Sequence, residues 1–79
     1  MNHFSIPITR DELERARVKI LDQQHVTLTG DQGEIEAHGV KLDFAFNGTD
    51  TLSFVVEHKP TLLLEGKLES IVREWFRDV

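Results

Sequence analysis

Two histidines and one glutamate, His25, Glu36 and His38, form the most suggestive chemical pattern in this sequence. If the segments around them pair as an antiparallel hairpin with Val26 opposite Ala37, His25 lies roughly opposite His38, and Glu36 shares their outward face. Zinc accepts imidazole nitrogens and carboxylate oxygens as ligands. The pattern is therefore compatible with a weak metal-binding or enzymatic site. The more common interpretation is two solvated histidines at a strand end, so we assign no metal ligand.

The rest of the sequence lacks the patterns that catalysis requires. There is no cysteine, which excludes a thiol nucleophile, a disulfide framework and Cys-ligated zinc. Serines such as Ser5, Ser53 and Ser70 lie outside any nucleophile-elbow motif. The stretch 30–33 joins two predicted strands, whereas a phosphate-binding loop opens a helix. We therefore expect a protein that is not an enzyme, with no catalytic residue and no cofactor.

The first helix is predicted from its N-terminal signals. Thr9 and Glu12 have the spacing of a capping box, and Ile8 and Leu13 occupy the hydrophobic-staple positions around it. These signals place the helix start at residue 10, and the pattern continues to about Asp22. A narrow apolar stripe follows at helical spacing. It consists of Leu13, Ala16 and Ile20, with Leu21 at its edge.

A change of parity at His38-Gly39 divides the β-rich centre of the chain. Apolar residues fall at odd positions before it and at even positions from Val40 to Phe46. Such a change means that one residue is inserted or that the chain turns. We predict a β-bulge in a bent middle strand shared by two hairpins. The first hairpin pairs residues 25–29 with 34–37.

The second predicted hairpin turns at Asn47-Gly48-Thr49-Asp50, a strong turn sequence. Apolar residues then meet across the two strands, and Lys41 lies opposite Glu57. The apolar pairs are Leu42 with Val56, Phe44 with Phe54, and Phe46 with Leu52.

A second helix is predicted near the C-terminus. Thr61 is a candidate N-cap, and Gly66 suggests that the helix can begin as late as residue 66. The apolar face consists of Leu64, Leu68, Ile71, Val72, Trp75 and Phe76. We expect one α+β domain, residues 1–79, with an extended arm or edge strand at 1–8. The predicted fold is a two-layer sandwich of order α-β-β-β-α, with a three-stranded antiparallel meander and both helices on one face.

The order α-β-β-β-α is shared with the double-stranded RNA-binding domain. Such domains carry lysines at the start of the last helix, which contact phosphates across a groove. Residues 62–69 of this sequence contain one lysine and two glutamates, and residues 25–60 contain six acidic side chains against two lysines. An acidic sheet repels phosphate backbones. The resemblance covers topology alone, and we expect no nucleic-acid partner.

Length and composition leave three hypotheses about function. The chain has 79 residues, 39% of them hydrophobic, and a net charge of −5. No apolar stretch approaches the length of a membrane span, and no signal peptide is evident, so we expect a cytoplasmic protein without a membrane partner. The leading hypothesis is a small protein-interaction module that binds a protein partner or forms a homodimer. The second is a carrier of a small apolar ligand in a pocket between helices and sheet, and the third is the His/Glu site.

Overall fold

The structure, a computed structural model, describes residues 2–79. Its elements are β1 (His3–Pro7), α1 (Arg10–Gln24), β2 (Gln32–Ala37), β3 (Val40–Phe46), β4 (Thr51–His58) and α2 (Glu65–Trp75). The strands form one antiparallel sheet in the order β1-β4-β3-β2. One face of the sheet is buried in a single core cluster together with residues of both helices. The predicted α+β sandwich is confirmed, with four strands in the sheet where three were expected.

The fourth strand is the N-terminal segment, which was predicted as an arm or edge strand at residues 1–8; residue 1 lies outside the described residues. β1 pairs with β4, so that Phe4 lies opposite Phe54 and Ile6 opposite Leu52. The rings of Phe4 and Phe54 stack with their centroids 5.1 Å apart. Pro7 ends the strand at the edge of the sheet, where its missing N–H breaks no internal hydrogen bond.

Helix α1 begins as predicted. The Glu12 N–H donates to the Thr9 hydroxyl at 3.3 Å, and the Thr9 N–H donates to the Glu12 carboxylate at 2.9 Å. The helix ends at Gln24, two residues later than expected, with His25 as a C-cap in the left-handed conformation at φ 58°. All three residues of the predicted stripe, Leu13, Ala16 and Ile20, are buried.

Residues 25–29 do not form the predicted strand, and their pairing with residues 34–37 was wrong. The guanidinium of Arg17 donates to the backbone carbonyls of Leu28 and Gly30, each at 2.7 Å. The segment is thus held against α1. Val26 and Leu28 are still buried. Buried and exposed side chains alternate here because the chain is extended and packs on the core. An extended chain has the same two-residue period as a strand.

The parity change at His38-Gly39 is a tight turn, so the predicted bulge in a shared middle strand was also wrong. Ala37 pairs with Val40 across the turn, and both turn residues have positive φ, 54° for His38 and 77° for Gly39. This is the signature of a type I′ hairpin turn. The three-stranded meander therefore consists of β2, β3 and β4.

The register between β3 and β4 is confirmed for all three predicted apolar pairs. A bulge occurs at the far end of this pairing, where the partner changes from Val56 for Leu42 to His58 for Lys41. Glu57 is the extra residue, so the predicted pair of Lys41 with Glu57 was wrong. The Lys41 ammonium instead lies 3.7 Å from the Glu34 carboxylate on β2.

Helix α2 begins at Glu65, and its N-cap is Leu64, which makes no side-chain capping bond. Thr61, the predicted cap, lies outside the helix. Three of the predicted apolar residues, Leu68, Val72 and Phe76, are buried. Leu64 and Ile71 remain 73% and 37% exposed. Within residues 2–79, neither helix combines the length and apolar character that crossing a membrane requires.

Candidate functional site beside strand β2

Strand β2 lies at an edge of the sheet and has β3 as its hydrogen-bonded neighbour. The Phe46 N–H donates to the Asp31 carbonyl at 2.6 Å, which marks this pair as hydrogen-bonded. Hydrogen-bonded and non-hydrogen-bonded pairs alternate along an antiparallel ladder, so every second residue from Asp31 onwards bonds to β3. The N–H and C=O groups of Gln32, Glu34 and Glu36 therefore point away from β3. Between residues 2 and 79, no segment pairs with this outer edge.

An apolar cavity of about 130 Å³ lies between the sheet and α2, next to this edge. Its sheet side is formed by Ile35, Ala37, Val40 and Leu42, with His38 at the turn. Its helix side is formed by Leu68, Ile71, Val72 and Trp75.

The cavity is continuous with the protein surface. Ile71 is 37% exposed, and Ala37 and Trp75 are half-buried, so these side chains form its rim. We call the cavity, this rim and the outer edge of β2 the β2–α2 groove. In the groove, an apolar recess lies directly beside backbone donors and acceptors that have no strand to pair with.

The electrostatic surroundings of the groove are negative. Glu34 and Glu36 are exposed on the uncovered face of β2, on either side of the inward-facing Ile35. Farther across this face, the Asp43 carboxylate raises the pKa of the Glu57 carboxyl, because it accepts a hydrogen bond from the protonated form and repels the ionised form. The negative charge of Glu34 raises this pKa further, and Lys41 opposes it.

The three residues of the hypothetical His/Glu site are not brought together. His25 caps α1, His38 lies in the β2–β3 turn, and Glu36 lies on β2. Glu36 and His38 share a shallow depression with Lys41 and His58, and His25 is not part of its lining. Among residues 2–79, no three histidine, aspartate or glutamate side chains are grouped so that they could hold a metal ion.

The sequence suggested a pocket between helices and sheet, but the open edge of β2 was missed because residues 25–29 were paired with that strand. The sequence of α2 nevertheless indicated an apolar surface beside the core. Its apolar face is wider than one buried stripe, since Ile71 and Trp75 extend it beyond Leu68 and Val72. A face of that width predicts apolar side chains at the margin of the core.

The chain matches no protein-family model, no curated protein and no solved structure. A function must therefore be inferred from the chemistry of the groove.

Proposed function

We propose that this chain is a non-enzymatic protein-interaction module that binds an extended segment of a partner protein in the β2–α2 groove. The observation that carries the proposal is the apolar cavity beside the unpaired edge of β2. Peptide recognition by strand addition uses these two features together, because backbone hydrogen bonds provide affinity and a side-chain pocket provides specificity. The cytoplasmic location expected from the sequence stays a prediction.

The size of the cavity favours a side chain over a free ligand. Sites for drug-sized molecules are typically about 300–1,000 Å³, whereas an apolar cavity of about 150 Å³ holds a single benzene. The cavity here is about 130 Å³. It fits one aliphatic or aromatic side chain, which contributes roughly 1.5–3 kcal/mol when fully buried. Carriage of a small apolar ligand is thus the less favoured alternative, since lipid-sized molecules exceed this volume.

The charges on β2 favour a different protein over a second copy of this chain. A symmetric pairing of two β2 edges centred on Ile35 would place Glu34 of one copy opposite Glu36 of the other. Like charges directly opposite each other destabilise a strand pair. A homodimer through this edge is therefore disfavoured.

The proposal can be tested by selecting linear peptides from a displayed random library on the immobilised domain. A selected peptide is then titrated into isotope-labelled domain and followed by amide NMR. We expect the largest shifts at Gln32, Glu34 and Glu36 and along the 68–75 stretch of α2. The proposal is contradicted if no peptide is enriched, or if the shifts fall elsewhere.

Two pairs of variants test separately how the cavity and the outer edge of β2 contribute to peptide binding. Ile71→Glu places a charge on the rim and should weaken binding by about 10-fold or more, equivalent to ~1.4 kcal/mol. Val18→Glu is its control, since Val18 is an apolar residue of α1 that is 71% exposed. Glu34→Pro removes an outward N–H, whereas Glu34→Thr removes the same charge and keeps the donor. If each variant binds like its control, strand addition in this groove is refuted.

A further inference from the structure

The geometry of the groove also indicates which side chains the bound partner segment carries, an inference that rests on the proposed function. We propose that the partner segment carries an apolar residue with a lysine or arginine immediately before and after it. The segment adds to β2 as a fifth strand. The apolar side chain enters the cavity, and the two cations lie beside Glu34 and Glu36.

The alternation of side chains along a strand leads to this pattern. In β2, Ile35 and Ala37 face the helix layer, and Glu34 and Glu36 face the uncovered side of the sheet. A strand that pairs with this edge continues the pleat, so its side chains alternate between the same two sides. A residue opposite Ile35 therefore points towards the cavity, and its two neighbours in the segment point towards the carboxylates.

The balance of charge on the uncovered face favours cations at those neighbouring positions. Glu34, Glu36, Asp43 and Glu57 lie on or next to this side of β2 and β3, and Lys41 is the cation placed among them. Lys41 lies 3.7 Å from Glu34. One lysine cannot neutralise four carboxylates. The pKa of Glu57 is raised chiefly by its hydrogen bond with Asp43 and by the negative charge of Asp43, and the charge of Glu34 raises it further.

The two sheet edges of a second copy of this chain do not supply the required pattern. The two edges of the sheet are β1 and β2. The inward-facing residue Phe4 of β1 lies between His3 and Ser5, and Ile35 of β2 lies between two glutamates. Neither edge within the described residues presents an apolar residue between two lysines or arginines. Charge complementarity thus points to a different protein.

Three synthetic peptides test the proposal. They share a threonine-rich host with a central leucine, and the two residues beside the leucine are both lysine, both threonine or both glutamate. Amide NMR titrations give the site and the Kd of each peptide. Each opposite-charge cross-strand pair contributes ~0.2–1 kcal/mol, so two pairs predict that the lysine peptide binds about 2- to 30-fold more tightly than the threonine peptide. We expect the glutamate peptide to bind most weakly.

Two double variants make the test specific to β2. Glu34→Gln with Glu36→Gln should remove the difference in Kd between the lysine peptide and the threonine peptide. Asp11→Asn with Asp22→Asn removes two carboxylates from exposed positions of α1 and should preserve the preference. Raising the salt concentration from 50 to 300 mM shortens the Debye screening length roughly twofold. It should therefore weaken binding of the lysine peptide selectively.

The possible outcomes distinguish the two proposals. Equal binding of all three peptides in the groove overturns the inference about charge and leaves strand addition standing. Shifts outside β2 and α2, or no shifts with any peptide at millimolar concentration, overturn strand addition itself. If both double variants reduce the preference for the lysine peptide equally, the preference is due to net charge. Recognition by Glu34 and Glu36 is then refuted.

Discussion

Filling the cavity from the sheet side should stabilise the domain, and Ala37→Ile is the suitable substitution. Ala37 is half-buried and lines the cavity at the end of β2. Isoleucine adds three carbon atoms on the side of the strand that faces α2. At ~0.8 kcal/mol for each buried methylene, complete burial would contribute about 2.4 kcal/mol. Because the position is half-buried, we expect about 1 kcal/mol.

The matched control is Ala45→Ile, which makes the same change on the exposed face of β3. Both substitutions introduce a β-branched side chain into a strand, so the gain in strand propensity is common to both. The difference between them isolates the filling of the cavity. Free energies of unfolding are measured by urea denaturation, and melting temperatures by circular dichroism.

We expect Ala37→Ile to exceed Ala45→Ile by about 1 kcal/mol, which corresponds to roughly 4–8 °C in melting temperature for a domain of this size. The same variant should bind groove peptides more weakly, since its side chain occupies the space of the partner residue. Equal stability of the two variants would show that the recess cannot accept three carbon atoms. Higher stability with unchanged peptide binding would separate the cavity from the binding site. If the variant is more stable and binds groove peptides more weakly, stability and function are in conflict at this position, as is common at binding sites.

Three further predictions concern a helix cap, a turn and a pair of carboxylates outside the groove. Thr9→Ala should lower the free energy of unfolding by ~0.5–2 kcal/mol through loss of the helix cap, whereas Thr61→Ala should have little effect in the same urea titration because Thr61 caps no helix. Asn47→Ala should cost about 1–2 kcal/mol in urea, since its side-chain oxygen accepts from three backbone N–H groups of the β3–β4 turn at 2.9–3.1 Å. Glu57→Gln should stabilise the domain at pH 7, because the raised pKa of Glu57 means that ionisation beside Asp43 costs more in the folded state than in the unfolded state. Melting temperatures across pH should show that this advantage disappears below about pH 4.5, where the wild-type carboxyl is protonated in both states; an advantage that persists there would contradict the assigned cause.

Local signals made part of the fold predictable from sequence. The capping box at Thr9 and Glu12 depends on atoms three residues apart, and the structure retains both of its hydrogen bonds. The register of β3 and β4 was predictable because a strong turn sequence joins the strands and apolar side chains must face the core together. Both cases involve neighbours along the chain.

The partner of β2 was not predictable in the same way. Alternating burial at Val26 and Leu28 looks identical whether an extended chain pairs with a strand or is held by a side chain such as Arg17. The parity change at His38-Gly39 allowed either a bulge or a turn, and the bulge was favoured; asparagine or aspartate more often precedes the glycine in a type I′ turn. Histidine does enter the left-handed region more readily than most residues.

These two errors explain why the candidate site was misplaced. With residues 25–29 paired to β2, the predicted sheet put His25 and His38 together and covered the outer edge of β2. With the observed turn, the histidines separate and the edge becomes accessible. The site thus depends on which segment β2 pairs with, a non-local property that residue spacing does not encode.

The pairing of β1 with β4 affects how the domain reaches its folded state. β2, β3 and β4 are connected by short turns, whereas β1 pairs with residues about 50 positions further along the chain. Closing so long a loop is entropically slow, so hairpin formation in the meander should precede the docking of β1. Until β1 docks, β4 is an edge strand that presents Phe54 and Leu52 beside unpaired backbone. Once docked, β1 covers this edge of β4, and its removal would leave β4 open to pairing with other chains.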